Sequence, residues 1–464
     1  MQTIKMAITA VLVTALLAAA CSSDDVASTD DVSPATTAAP ADTIAPGGSA
    51  DISEPTTSVP QALPASARGV TETSIKVGVA VPDFDALQAA GISNYQGDAD
   101  IAFQAFFDQI NASGGIFGRQ IEPVYASFDW TRPETQDSAC TELAEDNEVF
   151  IVLYGLLSDN NLCLTDRHDT MVMTRSFQTT DQRERSGDTL WLQLNAADDE
   201  RTRIMGQALA ESGRLDGKTI GILASATQND GVEGDALQDA LTEVGLASTV
   251  IRLDAPGDDP LARDAELKIV AERLAADGVD FVFDLIGGGG TADVFAASGY
   301  SPELAFKALG AAVDGSQDRS LMDGALSVAE ITEQLIFDDP EFQANCMDVV
   351  LADHPELADE FAYLPTGDQQ AAGEPNWANP VMIACDQTML LKQLGEIAGA
   401  DLTNDTFRAA LDQLGPVTLH GYGQASFNSE SKWDGLDEFY VQEYDFATDE
   451  ISLVGEAIVI DRSG

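Results

Sequence analysis

Ile110-Asn111-Ala112-Ser113-Gly114-Gly115-Ile116-Phe117-Gly118-Arg119-Gln120-Ile121 joins two kinds of periodicity within a dozen residues. Upstream, Ile101, Ala102, Ala105, Phe106 and Ile110 fall on one face of a helix over about 97–111. Ser113-Gly114-Gly115 ends that helix, because glycine takes the left-handed cap without a steric penalty. Downstream, Ile121 to Ala126 reads as a strand. In front of the helix, Ser74-Ile75-Lys76-Val77-Gly78-Val79-Ala80-Val81 is a short β-branched run bounded by a Pro-Asp loop, the pattern of a buried strand.

The same alternation runs on through the chain. Helix over 135–145 is followed by strands at 149–154, 170–174 and 191–194. Helix 199–211, strand 219–223, helix 234–244, strand 249–253, helix 263–277 and strand 281–285 come next. Strands alternating with helices at this spacing predict an α/β fold of parallel sheets covered on both faces. About 395 residues of body require two such sheets. In open sheets of this kind ligands bind beyond the carboxyl ends of the strands, so the loops after strands are the ones to watch.

The first 70 residues read differently. Lys5 precedes an apolar run from Met6 to Leu17, then Ala18-Ala19-Ala20-Cys21 and polar residues at once. The run is too short to span a bilayer and has the form of a secretory signal over 1–20. The cysteine after small residues resembles the bacterial lipobox, which implies lipidation of Cys21 and an extracytoplasmic protein anchored to the cell membrane; Ala18 stands where leucine is usual. Residues 21–70 are Ser, Thr, Ala, Pro and Asp with few large apolar side chains, the composition of a tether.

The chain carries 23 basic and 78 acidic residues, a net charge of −55. Such a surface repels phosphate backbones and argues against nucleic acid as a partner. With Cys21 lipidated, Cys140, Cys163, Cys346 and Cys385 remain, an even number that suits an oxidising compartment. Proximity in sequence pairs Cys140 with Cys163 and Cys346 with Cys385, out of three formal pairings. No CxxC is present, and His168, His354 and His420 are the only histidines, so no metal is expected.

The stretch at 110–121, following its strand and helix, resembles the turn that ends the first helix in branched-chain amino-acid-type solute-binding proteins of ABC importers. Thr227 to Ala240 is similar to that family's loop and helix opening the second lobe. Pro380 to Ala398 resembles a helix of its first lobe, and Ser426-Phe427-Asn428 a late strand. The resemblance spans about 72–460. It implies a type I periplasmic binding protein: two doubly wound lobes, 71–191 with 331–417 and 192–330 with 418–464, joined by a three-crossover hinge near 192, 330 and 418. Hinge closure on a small polar solute, an amino acid or amide, and hand-over to an ABC-importer permease follow, with a monomer, no cofactor and no catalysis expected. Carried over residue by residue, the family's contacts fall on Tyr95, Ser158, Asp159, Ser176, Gln178, Asn229, Asp230, Gly287 and Asp314. The aromatic common in the second lobe's first loop is replaced at Asn229 and Asp230, and Asp314 lies past the usual position of the ammonium-binding acid.

Other readings draw less support. The run Gly287 to Gly290 lacks the GK[ST] ending of a phosphate loop. Ser158 beside Asp159 has no histidine placed to make it a nucleophile, and no GxSxG is present, which argues against a secreted hydrolase. Asp284, ending an apolar strand, reads as a ligand contact or a partner for a cation within its lobe. A ligand-sensing receptor domain that serves a membrane partner without transport is the competing binding function.

Overall fold

A computed structural model describes residues 63–464 apart from 90–94, 176–177, 227–228, 255–259, 287–289, 461 and 463–464. The first sheet contains β1 (Ser74–Pro82), β2 (Gln120–Phe128), β3 (Ile151–Tyr154), β4 (Met171–Thr174) and β5 (Trp191–Gln193). They are all parallel, in the order β2-β1-β3-β4-β5. The second sheet holds β6 (Ile220–Ser225), β7 (Ser248–Leu253), β8 (Phe281–Asp284), β9 (Glu303–Phe306) and β10 (Leu326–Ala329). Its edge is built from β13 (Glu438–Asp445) and β14 (Glu450–Val459), in the order β14-β13-β10-β9-β8-β6-β7. Only β13 runs against the others in it; β14, antiparallel to β13, returns to their direction. A small antiparallel ribbon of β11 (Val417–Leu419) and β12 (Gly423–Ala425) lies between β10 and β13 in sequence.

Strands buried on both faces need apolar side chains in succession rather than in alternation. Met171-Val172-Met173-Thr174 in β4 and Phe281-Val282-Phe283-Asp284 in β8 are buried at every position. Helices Ala99–Ala112 and Ala378–Ala398 pack side by side over the first sheet, burying Phe103, Phe106 and Phe107 from one and Val381, Ile383 and Leu391 from the other.

The motif at 110–121 has a structural account residue by residue. The Asn111 side chain mimics a strand partner: its amide donates to the Ile121 carbonyl at 3.0 Å and its oxygen accepts from the Ile121 amide at 2.7 Å. Gly115 adopts φ +77°, and a Cβ there would lie 1.9 Å from the Arg119 carbonyl oxygen. Arg119 is fully buried and donates to the carbonyls of Pro64, Thr71 and Ala400, each at 2.8 Å. One guanidinium thus ties the start of the body to the end of helix Ala378–Ala398.

The chain passes between the sheets three times, after β5, after β10 and through β11–β12. The first and third passages run side by side: the Gln193 amide donates to Trp433 at 2.8 Å, Gly435 to Gln193 at 2.9 Å and Leu436 to Leu194 at 3.1 Å. The second is tied to them by Glu330, whose carbonyl accepts from Gln442 (2.8 Å) and whose carboxylate takes Asn195 (3.3 Å) and Arg201 (3.4 Å). Beneath the hinge lies a buried ion cluster. Asp434 accepts from Arg462 at 2.5 Å and from the Ala197 amide at 2.8 Å. Lys432 reaches Asp437 at 3.2 Å and donates to the carbonyls of Ser426, Asp434 and Gly435. Burial above all pushes the Lys432 ammonium down to about 8.

Ser426-Phe427-Asn428, expected as a strand, is a turn instead. The Asn428 side-chain oxygen accepts from the amides of Glu430, Ser431 and Lys432, and the segment's own amides reach only Gly435 (from Ser426) and Lys432 (from Asn428), too few bonds for a strand. Cys140 is bridged to Cys163 and Cys346 to Cys385. Among the described residues no helix is long and apolar enough to cross a membrane.

Candidate solute site between the lobes

The carboxyl ends of the first sheet converge on a cavity of about 120 Å³. Each parallel strand but the last contributes: Phe84 follows β1, Phe128 and Trp130 close β2, Tyr154 to Leu157 close β3, and Arg175 follows β4. Gln96, Asn379 and Ile383 complete the lining. Phe84 and Trp130 meet edge to face at 5.9 Å between centroids. The loop after β3 is held rigidly. Leu156 exchanges two hydrogen bonds with the buried Asn161 side chain, at 2.8 and 2.6 Å. Gln387, buried on helix Ala378–Ala398, accepts from the Tyr154 amide at 2.7 Å and donates to the Met173 carbonyl at 3.1 Å, fixing the ends of β3 and β4 together.

A second cavity, of about 260 Å³, adjoins the first and opens between the lobes. Its walls are Lys307 to Gly310 after β9, Ala329 to Glu333 after β10, Arg201, and Met382 with Gly421. Lys307 is paired with the fully buried Glu233 at 2.9 Å. Arg175 lines both cavities. No carboxylate among the described residues lies within ion-pair distance of it. Burial works against its charge, but Tyr422, Glu330 and Glu333 outweigh burial and hold the guanidinium above its ordinary value. Burial pushes the Tyr154 phenol up to about 12 although Arg175 pulls the other way. Glu330 feels burial too, yet Arg201 and then Arg175 keep its carboxyl below the usual range. Glu333 accepts from Asn376 at 3.0 Å. A half-buried, permanently charged fork at the junction of two cavities, without a carboxylate partner among the described residues, is what a carboxylate-bearing solute requires.

The residues picked out from the sequence are dispersed around this centre. Tyr95 is half-buried and donates to Asp85 at 3.3 Å, while its neighbour Gln96 lines the cavity. Ser158 sits at φ +44° in the turn after the lining residues. Asp159 pairs with Arg185 at 3.1 Å and accepts from Gln182 at 2.7 Å. Gln178 is 1 % exposed, its side chain donating to the Trp191 carbonyl and its backbone amide to the Gln193 side-chain oxygen. Asp314 is exposed and paired with Arg319 at 3.0 Å, beside a separate open groove along β13 and β14. Ser176 and Gly287 lie outside the described residues, as do the side chains of Asn229 and Asp230, which begin helix Asn229–Glu243. Asp284 is fully buried at the end of β8, where its carboxylate accepts from the Ile286 amide at 3.1 Å. The sequence reading passed over Arg175, one residue before Ser176, and Tyr154, one before Gly155. The available signal for Arg175 was an arginine directly after an apolar strand in a chain with few basic residues.

Among the described residues two groups have the composition of metal ligands, Cys140, Cys163 and His168, and Cys346, Cys385 and His420. In both, the sulfurs are spent in a disulfide. An oxidised pair does not offer the thiolates that zinc takes.

Two doubly wound lobes, a three-passage hinge and a charged cleft at the strand ends define a two-lobed ligand-binding protein of type I. The sequence profile of the family described as "Periplasmic binding protein" matches residues 74–348, more than half of the chain, and the chain belongs to that family. Solved structures agree in fold. An ABC transporter substrate-binding protein from Desulfitobacterium hafniense in complex with Leu is similar at 16 % identity and TM-score 0.56, over 82 % of this chain and 100 % of that one. A fatty acid ABC transporter substrate-binding protein from Thermomonospora curvata gives 16 % and 0.57, over 85 % and 95 %. A solute-binding protein of an ABC transporter from Rhodopseudomonas palustris BisB5, in complex with 3,4-dihydroxybenzoic acid, gives 14 % and 0.56, over 84 % and 99 %. A search of curated proteins finds no match.

Proposed function

We propose that this protein is the solute receptor of an ABC importer, held at the membrane by a lipid on Cys21, with lobes 71–191 plus 331–417 and 192–330 plus 418–464 closing on a small amphipathic carboxylate. The observation that carries this reading is Arg175, a cation that lines both cavities and has no carboxylate partner among the described residues. The solute carboxylate takes the guanidinium. Its apolar part enters the aromatic-walled cavity, whose roughly 120 Å³ compares with the ~150 Å³ that holds a benzene ring. A zwitterion also satisfies Glu333, which shares the interlobe cavity with Arg175, and this favours an apolar amino acid. The similar proteins named above bind leucine, fatty acids or aromatic acids, all carboxylates.

Matched pairs separate the amino acid from the plain acid. Leucine and 4-methylpentanoate, or phenylalanine and 3-phenylpropanoate, differ only in the ammonium group. Thermal-shift titration of residues 70–464 is expected to show stabilisation by an amino acid and little by its partner. Glu333→Gln is expected to weaken the amino acid by about ten- to a hundredfold, the worth of one charge-assisted hydrogen bond. Equal binding of both members of a pair would remove the amino-acid assignment and leave the carboxylate site.

For the anchor, Cys21→Ser is expected to move the protein from the membrane fraction to the soluble exported fraction. An unchanged membrane association would contradict lipidation at Cys21.

A further inference from the structure

The third passage between the lobes is fastened by a single buried carboxylate. Asp386, fully buried on helix Ala378–Ala398, accepts from the His420 amide at 2.8 Å, the His420 Nδ1 at 3.1 Å and the Gly421 amide at 2.9 Å. Gly421 packs so closely on the same helix that a Cβ would lie 2.1 Å from Met382 Cγ. The next residue, Tyr422, is fully buried, and its phenol feels the charges of both Arg175 and Asp386. Arg175 is the group that the proposed function assigns to the solute. Gly421 lines the interlobe cavity beside Arg175, so Asp386, which holds the Gly421 amide, sets the position of a wall of the solute site without lining it.

We propose that Asp386 is a positioning residue for the Gly421–Tyr422 segment that walls the site beside Arg175, and that His420, by gaining or losing its proton, tunes how much negative charge Asp386 presents to the bound carboxylate. This rests on the reading of Arg175 as the solute anchor. The geometry makes the coupling direct: one carboxylate holds both the histidine ring and the backbone that carries Tyr422. The charged groups around His420 are Asp386 from the helix and Asp339 and Glu341 from the segment packed alongside. The nearest sulfur, Cys385 at 4.0 Å, is in its disulfide and does not titrate. All three facing groups are acids. The hydrogen bond to Asp386 first, and then the acids' fields against the cost of burial, hold the His420 pKa above its ordinary value. A raised histidine pKa places the paired state below the ordinary value of about 6.5 and loses it as pH rises through the folded value. Above that point Asp386 is no longer offset, and a carboxylate at Arg175 is bound less tightly.

The test reads the wall itself. In protein labelled with 3-fluorotyrosine, the Tyr422 resonance is identified by its absence in Tyr422→Phe. It is expected to shift with the same midpoint as the His420 imidazole, and to be flat over that range in His420→Gln and in Asp386→Asn. A Tyr422 resonance that stays flat in the unaltered protein, or titrates unchanged in His420→Gln, would overturn the proposal. Affinity supplies the second arm, with leucine and 4-methylpentanoate as probes. The Kd of whichever binds is expected to rise about three- to tenfold across the His420 midpoint, as for one charge at mid-range in a partly screened site, and to lose that slope in His420→Gln. A pH-independent Kd would overturn the tuning. If neither probe bound at any pH, the carboxylate reading of Arg175 would fall, and the Tyr422 titration would still decide the clamp.

Discussion

Arg175→Ala is expected to weaken solute binding by about a hundredfold or more while leaving the fold intact. Truncating one member of a buried, charge-assisted contact costs about 2–5 kcal/mol, which is thirtyfold to several thousandfold in Kd. The fold is spared because Arg175 makes no ion pair in the described structure; its neighbours Tyr154 and Tyr422 are kept in place by burial and by Gln387 and Asp386. Arg175→Lys keeps the charge but loses the planar fork, so it is expected to recover only part of the affinity. Isothermal titration with the solute found by screening, alongside the unfolding midpoint of each variant, checks both halves. A variant that binds normally would show that the anchor lies elsewhere in the cleft.

Asp434→Ala is expected to be the most damaging single change to stability, at about 3–5 kcal/mol, the usual result of removing one partner from a buried charge cluster. The alanine would leave Arg462 without its 2.5 Å contact and would orphan the Ala197 amide at the first passage between the lobes. Burial opposes the Asp434 charge, but Arg462 and then Lys432 outweigh it and hold the carboxyl below its ordinary value. The stability it supplies is therefore complete above the unfolded value of about 4 and is lost as pH falls through the lower folded value. Urea unfolding at neutral pH measures the loss directly. Asp434→Ala as stable as the unaltered protein would show that the cluster is dispensable to the hinge. A set of apolar replacements for the whole cluster is not expected to cost as much, because no charge would then be left buried alone.

The fold was legible because its signals are local. A helix ended by Gly114-Gly115, a strand opened by Ile121, and the repetition of that unit demand a parallel sheet, and each can be read within twenty residues. Asn111 and Arg119 act across the same short stretch. The site is harder to read for a physical reason. Loops after strands have no period, so an assignment made there carries no check on its register. Tyr154 already has φ +66° and Gly155 φ +76°, so the turn begins earlier than an apolar run suggests, and the lining residues precede Ser158 and Asp159. Gln178 is a polar residue near a strand end, the right type in the right region, but it is fully occupied by Trp191 and Gln193. The groups that give Arg175 its character, Tyr422, Glu330 and Glu333, come from two later passages of the chain, and no spacing rule connects them to residue 175. The hinge cluster was hidden for the same reason, since Arg462 meets Asp434 across a turn and a β-hairpin.

Where the solute sits decides whether Arg175 is its anchor. A crystal structure of the body with the solute that stabilises it most is expected to show the lobes closed, with a carboxylate oxygen within hydrogen-bond distance of the Arg175 guanidinium and the apolar part of the ligand between Phe84, Trp130 and Leu156. A ligand held away from Arg175, for example in the open groove beside Arg319 and β14, would contradict it.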